Sequence, residues 1–447
     1  MFGIKTKIVA AVRRQFYRFY TIRQDFINVN PIFDTRYLDE EICDHALSLV
    51  SSPLCITPKN KNNIAFLASE LSGMGGHTEL LKNLAQALPK GYKSKLFLTR
   101  KARSEKYAAL KIAEIGKYSE IDGVDFCWKN EKKMLNKLLK QVLEFSPNVL
   151  ITFIHMEDSF AVGLIALLKK HTEIKIIFCN IGSQYSSLGM SFAHLIWEGM
   201  PATAFVTQKY RKLKNTKVLG LCYLTKENLP KFSAQEIMTV KRELGIPENA
   251  LCTMTGCSSY KLFENGKSSY LEMIKKLLEK NENLWHVLIT VLDEEQKKIL
   301  KETDMPNRFI VADFKPNFKL YFKCADVFID SIPFSSALTM VDLMSLKVPF
   351  VAFKNKDNLA FTFYEYLPKN YAYLFENIFD MQAGIEKLLS DKEERERIAD
   401  SNYGHFLENF EGNKVAKKIL DADSVDSEID EEQYKDFKAV KLVPWGK

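Results

Sequence analysis

The sequence lacks the simplest signatures of several protein classes. No run of about 18 uninterrupted apolar residues occurs, which argues against a membrane-spanning helix. The eight cysteines (Cys43, Cys55, Cys127, Cys179, Cys222, Cys252, Cys257 and Cys324) form no CxxC pair. That scatter fits neither a disulfide framework nor a zinc site, and it fits a reducing cytoplasm. Charge of one sign is also scarce. The 63 Lys and Arg against 56 Asp and Glu leave +7 on 447 residues, which is no nucleic-acid signature unless gathered in one place. Near the N-terminus the apolar run that begins at Ile8 stops before Arg13, too short for a secretory signal.

What is present is the composition of a soluble enzyme: 46% hydrophobic and 27% charged residues, over a length suited to two large domains. Residues 1 to 23 carry Lys5, Lys7, Arg13, Arg14, Arg18 and Arg23 and no acid short of Asp25, interleaved with apolar and aromatic side chains. Such a basic amphipathic segment suits an anionic membrane surface; a helix packed on the body with its basic face in water has the same pattern. The stretch from Asp421 to Asp436 is acidic and is expected to be mobile. Its Asp421-Ala422-Asp423 is formally a DxD, but a solvated carboxylate pair is a poor metal site.

From Asn63 onward, apolar runs of strand length alternate with amphipathic runs of helix length, the pattern of βα units on a parallel sheet. The first series starts with a strand at Ile64–Ala68 and a helix over Thr78–Leu88, and is expected to close with a strand at Thr203–Thr207. After a less regular stretch the alternation restarts at Leu251 and ends with helices near Met381–Leu389 and Glu393–Phe410. The expected organisation is a basic segment over 1–50, an α/β domain over 51–220, a connection over 221–250, a second α/β domain over 251–420, and the acidic tail over 421–447. Two Rossmann-like domains facing across a cleft are therefore expected, with ligands outside the carboxyl ends of the strands.

Three turns could carry chemistry. In SELSGMGGHTELLKNLAQAL (69 to 88), Gly73, Gly75 and Gly76 sit between strand and helix, so backbone could approach a ligand and helix-start N–H groups could face an anion. The spacing is not GxGxxG and no P-loop lysine follows. His77 serves equally well as a polar residue at the helix start. In the second half, Lys261 lies just past a strand, well placed as a point charge for a diphosphate, or simply exposed in a loop. In DVFIDSIPFSSALTMVDLM (326 to 344), a buried strand ends at Asp330, and Ser335 and Ser336 open a helix that could receive phosphate oxygens or merely be N-capped. Asp342 could reach ribose hydroxyls or interact with the helix dipole.

These turns resemble those of GT-B glycosyltransferases. GMGGHTE followed by LAQAL is similar to the first βα turn of bacterial capsule and surface-polysaccharide transferases, where the loop faces the sugar being transferred. The strand, polar turn, Tyr260-Lys261 and helix resemble the donor domain of the O-GlcNAc transferase family; carried over, Lys261 contacts the nucleotide diphosphate. The helix PF-small-small-x-T-x-x-D places Thr339 on phosphate and Asp342 on ribose. Ser336-Ala337-Leu338 stands where relatives have a glycine-rich or His-Thr-Thr turn. At 179 to 199, Asn180, Leu188, Gly189, Ser191 and Ala193 match the frame of an Asn-His-Ala-Asp-His motif, but Ile181, Ser183 and Gln184 replace its histidines and aspartate. The remaining candidates for a general base are His155, Glu157 and Asp158.

The resemblance implies transfer of a sugar from a nucleotide-diphosphate donor, a UDP-sugar or similar, to an acceptor hydroxyl. Tyr260, Lys261, Ser335, Ser336, Thr339 and Asp342 would bind the donor, and Gly75, Gly76, His77 and Asn180 would line the acceptor side. It implies no cofactor, no metal and no nucleic acid. The acceptor would be a glycan or a lipid-linked sugar, met in the cytoplasm or at the inner face of a membrane through the basic N-terminus. A non-catalytic GT-B-like partner protein would share the frame and lack the chemistry. A sugar-nucleotide epimerase of similar fold would need cleft carboxylates and no acceptor.

Overall fold

The computed structural model describes residues 32–50, 58, 60–73, 76–180, 187–263, 267–313, 317–355, 363–425, 428–435 and 442–444. It divides into two compact units. The first takes the described residues through Thr225 and those from Gly412 onward, and the second runs from Lys226 to Glu411. The basic segment at residues 1 to 23 lies outside the described residues.

A short strand β1 (Ile32–Asp34) precedes the first sheet, which contains β2 (Asn63–Ala68), β3 (Lys93–Leu98), β4 (Glu120–Gly123), β5 (Val149–Phe153), β6 (Lys175–Cys179), β7 (Leu195–Glu198) and β8 (Thr216–Val218). Its order is β4-β3-β2-β5-β6-β7-β8 with every neighbour parallel. The central strands β2 and β5 are buried along their whole length, as a parallel sheet covered on both faces requires. Leu67, Phe97, Leu150, Val162, Ile165 and Ile176 share one continuous core.

The second sheet contains β9 (Leu251–Gly256), β10 (Leu284–Ile289), β11 (Phe309–Ala312), β12 (Val327–Ile329), β13 (Phe350–Phe353) and β14 (Leu374–Phe375). It is parallel throughout, in the order β11-β10-β9-β12-β13-β14. The helix Ser269–Lys280 that returns the chain from β9 to β10 starts on the Ser268 cap, which accepts from Leu271 N–H at 3.2 Å. It buries Leu271, Ile274, Leu277 and Leu278 at helical spacing.

Both sheets start in the middle. The chain runs from β2 outward to β4, then returns to add β5 on the other side of β2. It repeats the pattern from β9 to β11, then returns at β12. Turns leaving adjacent strands in opposite directions open a crevice at the carboxyl ends of β2 and β5, and of β9 and β12.

Four expectations differ from the structure. Helix Arg36–Leu49, expected in a separate segment over 1–50, belongs to the first unit and packs on helix Ser159–His171. Thr203–Thr207 is not a strand but the middle of a helix, Pro201–Lys209. Proline at the first helical position favours that start, and a short fully buried apolar run does not distinguish strand from helix. The second unit does not extend to residue 420, because helix Gly412–Leu420 packs on helix Gly76–Ala87 in the first unit. The acidic tail is also anchored in part: Tyr434 is buried against Phe205, and Asp423 and Glu431 pair with Lys175 and Lys209 at 2.5 and 3.0 Å. The last described stretch of the tail, β15 (Leu442–Pro444), pairs with β1.

Candidate functional site

In the first unit three expected segments reach one sheet edge, because β2, β5 and β6 are neighbours whose carboxyl ends point the same way. Helix Gly76–Ala87 begins at Gly76 and places half-buried His77 in its first turn; Gly75 lies outside the described residues. Burial lowers the His77 pKa below its ordinary value, favouring the neutral imidazole. Ser69, at the end of β2, ties this edge together. Its hydroxyl donates to Asp158 Oδ2 at 2.5 Å and accepts the His155 N–H at 2.8 Å.

His155 is half-buried on the turn after β5, and Glu157 beside it is buried. Asp158 is engaged on all sides. Thr99 donates to Oδ2 at 2.6 Å, Ala161 N–H reaches Oδ1 at 3.0 Å, and the Arg100 guanidinium lies 3.8 Å away. As the N-cap of helix Ser159–His171 with this set of donors, Asp158 is built as a structural anchor. Asn180, after β6, is buried and donates to Glu198 Oε1 at 2.7 Å. Glu198 also accepts from Thr207 at 2.6 Å. Its pKa is raised by burial, against the pull of Arg211 and these hydrogen bonds.

In the second unit β9 and β12 are adjacent, so residues more than 70 positions apart converge. Gly256 ends β9 where a Cβ would stand 2.6 Å from the Phe322 ring, and the chain then turns through Cys257 to Tyr260 and Lys261. Tyr260 is exposed. Lys261 Nζ donates to Ser335 O at 2.8 Å and to Ser336 Oγ at 2.9 Å, and lies 5.9 Å from the Phe363 ring centre. Burial lowers the Lys261 pKa, while Cys257 and Asp330 act the other way. Ser336 occupies the N-cap of helix Ala337–Ser345 but makes no capping hydrogen bond, its hydroxyl accepting from Lys261 instead. The helix start therefore presents N–H groups without a side-chain cap beside an ammonium group, an arrangement suited to an anion.

Half-buried Thr339 stands one turn into that helix. Asp342, buried, pairs with Lys319 Nζ at 3.0 Å. Sequence reading missed Lys319, which comes from helix Phe318–Phe322, and missed Ser69, Thr99 and Glu198 in the first unit. Ser69 and Glu198 lie within stretches the sequence singled out, but their roles, like those of Lys319 and Thr99, follow only from contacts between neighbouring elements.

No protein-family model matches the sequence, and no curated protein matches it. Solved structures do. A glycosyltransferase from Rickettsia africae superposes with TM-score 0.64 at 12% identity, over 84% of this chain and 100% of the other. The O-GlcNAc transferase of Thermobaculum terrenum gives 0.55 at 13% identity, over 87% and 73%. The UDP-GlcNAc 2-epimerase of Neisseria meningitidis, solved with UDP-GlcNAc bound, gives 0.52 at 12% identity, over 80% and 98%. The fold is GT-B. At these identities the likeness establishes the fold alone, and this GT-B fold carries both transferases and epimerases, so the chemistry has to be argued from the site.

Proposed function

We propose that the chain is a glycosyltransferase that takes a sugar from a nucleotide-diphosphate donor and moves it to an acceptor hydroxyl. The observation that carries this reading is the seat between β9 and β12: the Lys261 ammonium, the Ser335-Ser336 turn and an uncapped helix start on adjacent strands. In this reading Lys261 and the helix start hold the diphosphate, Thr339 assists, and Asp342 accepts from the ribose while Lys319 keeps its charge balanced. Tyr260, exposed beside Lys261, borders the donor.

The chemical step follows from charge. As the anomeric carbon–oxygen bond breaks, negative charge builds on the leaving diphosphate, where Lys261 and the helix N-terminus stabilise it. The acceptor hydroxyl forms the new bond to the anomeric carbon and gives its proton to a base. His155 and Glu157 are the candidates for that base, since the Asp158 oxygens are engaged by Ser69, Thr99 and Ala161. Charge stabilisation of this kind needs no divalent metal. Gly75, Gly76, His77 and Asn180 belong to the acceptor side, and the acceptor is a glycan or lipid-linked sugar of a bacterial surface polymer. The basic residues 1 to 23 would hold the enzyme at an anionic membrane on the cytoplasmic side.

The test is ligand-dependent stability. UDP or a UDP-sugar is expected to raise the melting temperature, and Lys261→Ala to abolish that rise while leaving the unliganded protein folded. A panel of nucleotide sugars, assayed for free nucleoside diphosphate with and without acceptor glycans, then separates the activities. Release that requires acceptor marks a transferase, and donor turnover without any acceptor marks an epimerase or hydrolase. Binding without turnover supports a non-catalytic protein.

A further inference from the structure

Asp330 directly follows β12 at the crevice of the second sheet, with 3% of its surface exposed. Its Oδ1 accepts the Ser331 N–H at 2.9 Å. Among the described residues Oδ2 has no hydrogen bond of normal geometry, and neither has the buried Ser335 hydroxyl beside it. The charged and titratable groups among the described residues that face this carboxylate are Lys261 and Cys257 from the turn after β9. Its own turn contributes Ser331 and Ser335, and β13 the Phe353 backbone N–H.

We propose that Asp330 takes up a proton when a diphosphate occupies the seat at Lys261; this rests on the donor-site reading above. The Ser331 hydroxyl, next to Asp330, lies 3.4 Å from the Ser336 hydroxyl that Lys261 also bonds, and the Lys261 charge acts on the Asp330 carboxylate. A diphosphate brings further negative charge to that ammonium in surroundings of low dielectric, where like charges repel strongly. Neutralising Asp330 relieves the repulsion at little cost, because burial already raises its pKa to about 6, the Ser335 hydroxyl and Lys261 notwithstanding. The balance is simple: one proton from solvent joins the carboxylate, and no other bond changes. Protonation also turns Oδ2 from an acceptor into a donor, next to a serine oxygen or a ligand phosphate that can receive it. Asp330 is thus a positioning residue that sets the charge of the anion seat.

The experiment is titration calorimetry of the full chain with UDP-glucose, whose diphosphate diester does not titrate near neutrality, in buffers of different ionisation enthalpy. At about pH 7 the dependence on buffer is expected to report uptake of roughly half to one proton per ligand. Affinity is expected to weaken as pH rises from 6 to 8. Asp330→Asn is expected to bind at least as tightly at about pH 8 and to show no proton uptake. Binding without proton uptake in the wild type, or uptake unchanged in Asp330→Asn, overturns the proposal. If the variant does not fold, the wild-type pH dependence of affinity between 6 and 8 decides alone, a flat profile overturning it. If neither UDP-glucose nor UDP binds at any pH, the donor-site reading itself fails, an outcome distinct from binding without a proton.

Discussion

At the residue scale, two acids near the sheet edges have different tasks, and their surroundings say which. Asp158 accepts from Ser69, Thr99 and Ala161 N–H, and its loss would strand two buried hydroxyl donors and a helix N-terminus. Asp158→Ala is therefore expected to destabilise the protein by roughly 2–4 kcal/mol in urea unfolding. Equal stability of variant and wild type would refute the anchoring role. Asp342 differs because it pairs with Lys319 at 3.0 Å, at an edge suited to a nucleotide. Lys319→Ala is expected to weaken UDP binding at least threefold and also to lower unliganded stability, because buried Asp342 loses its ammonium partner; unchanged affinity would remove Lys319 from the site. Lys261 and Asp342 were legible in the sequence because each lies at a strand end or helix start with a recognisable frame. Ser335 was legible too, but its pairing with Lys261 was not, because strand order brings the two together. Lys319 was missed altogether, since it reaches Asp342 from another helix and no local spacing encodes that.

At the element scale, the alternation of strand and helix was readable along most of the chain, and it failed where an element's role depends on distant surface. Helix Arg36–Leu49, assigned from sequence to an accessory segment, packs on helix Ser159–His171. Buried Asp39 accepts from Gly189 N–H at 2.7 Å and from the Ser191 hydroxyl at 2.6 Å. The C-terminal stretch behaves likewise. Its acidic residues suggested a solvated tail, yet Tyr434 fills a cluster with Ala202, Phe205 and Val206, its ring centre 4.9 Å from that of Phe205. One buried aromatic outweighs a run of exposed charges, since apolar burial is worth a few kcal/mol and each surface ion pair well under one. Tyr434→Ala is expected to cost roughly 2–4 kcal/mol, and Glu431→Gln less than about 1. Chemical unfolding of the two variants checks the ranking, and a larger effect of Glu431→Gln would reverse the argument.

For the whole molecule, two buried titratable groups in the second unit should shape stability against pH with opposite signs. His286 is held by Thr253 and Tyr270, at 2.9 and 2.6 Å, and burial lowers its pKa to about 3 from the ordinary 6.5. The unfolded chain then binds more protons between those values, so the His286 contribution rises with pH up to about 6.5 and is lost as pH falls towards 3. Asp330 is the reverse. Its folded pKa of about 6 lies above the ordinary 3.8, so the folded state binds the extra proton and its contribution falls as pH rises from 3.8 to 6. Over that shared window the two slopes, each about 1.4 kcal/mol per pH unit at most, largely cancel. Asp330→Asn should expose the His286 slope, making the variant's stability rise more steeply than wild type between about pH 4 and 6. His286→Gln should do the opposite, leaving a profile that falls over the same range. Urea unfolding of the three proteins at about pH 4, 5 and 6 measures this, and parallel profiles would mean that neither group titrates as its surroundings require.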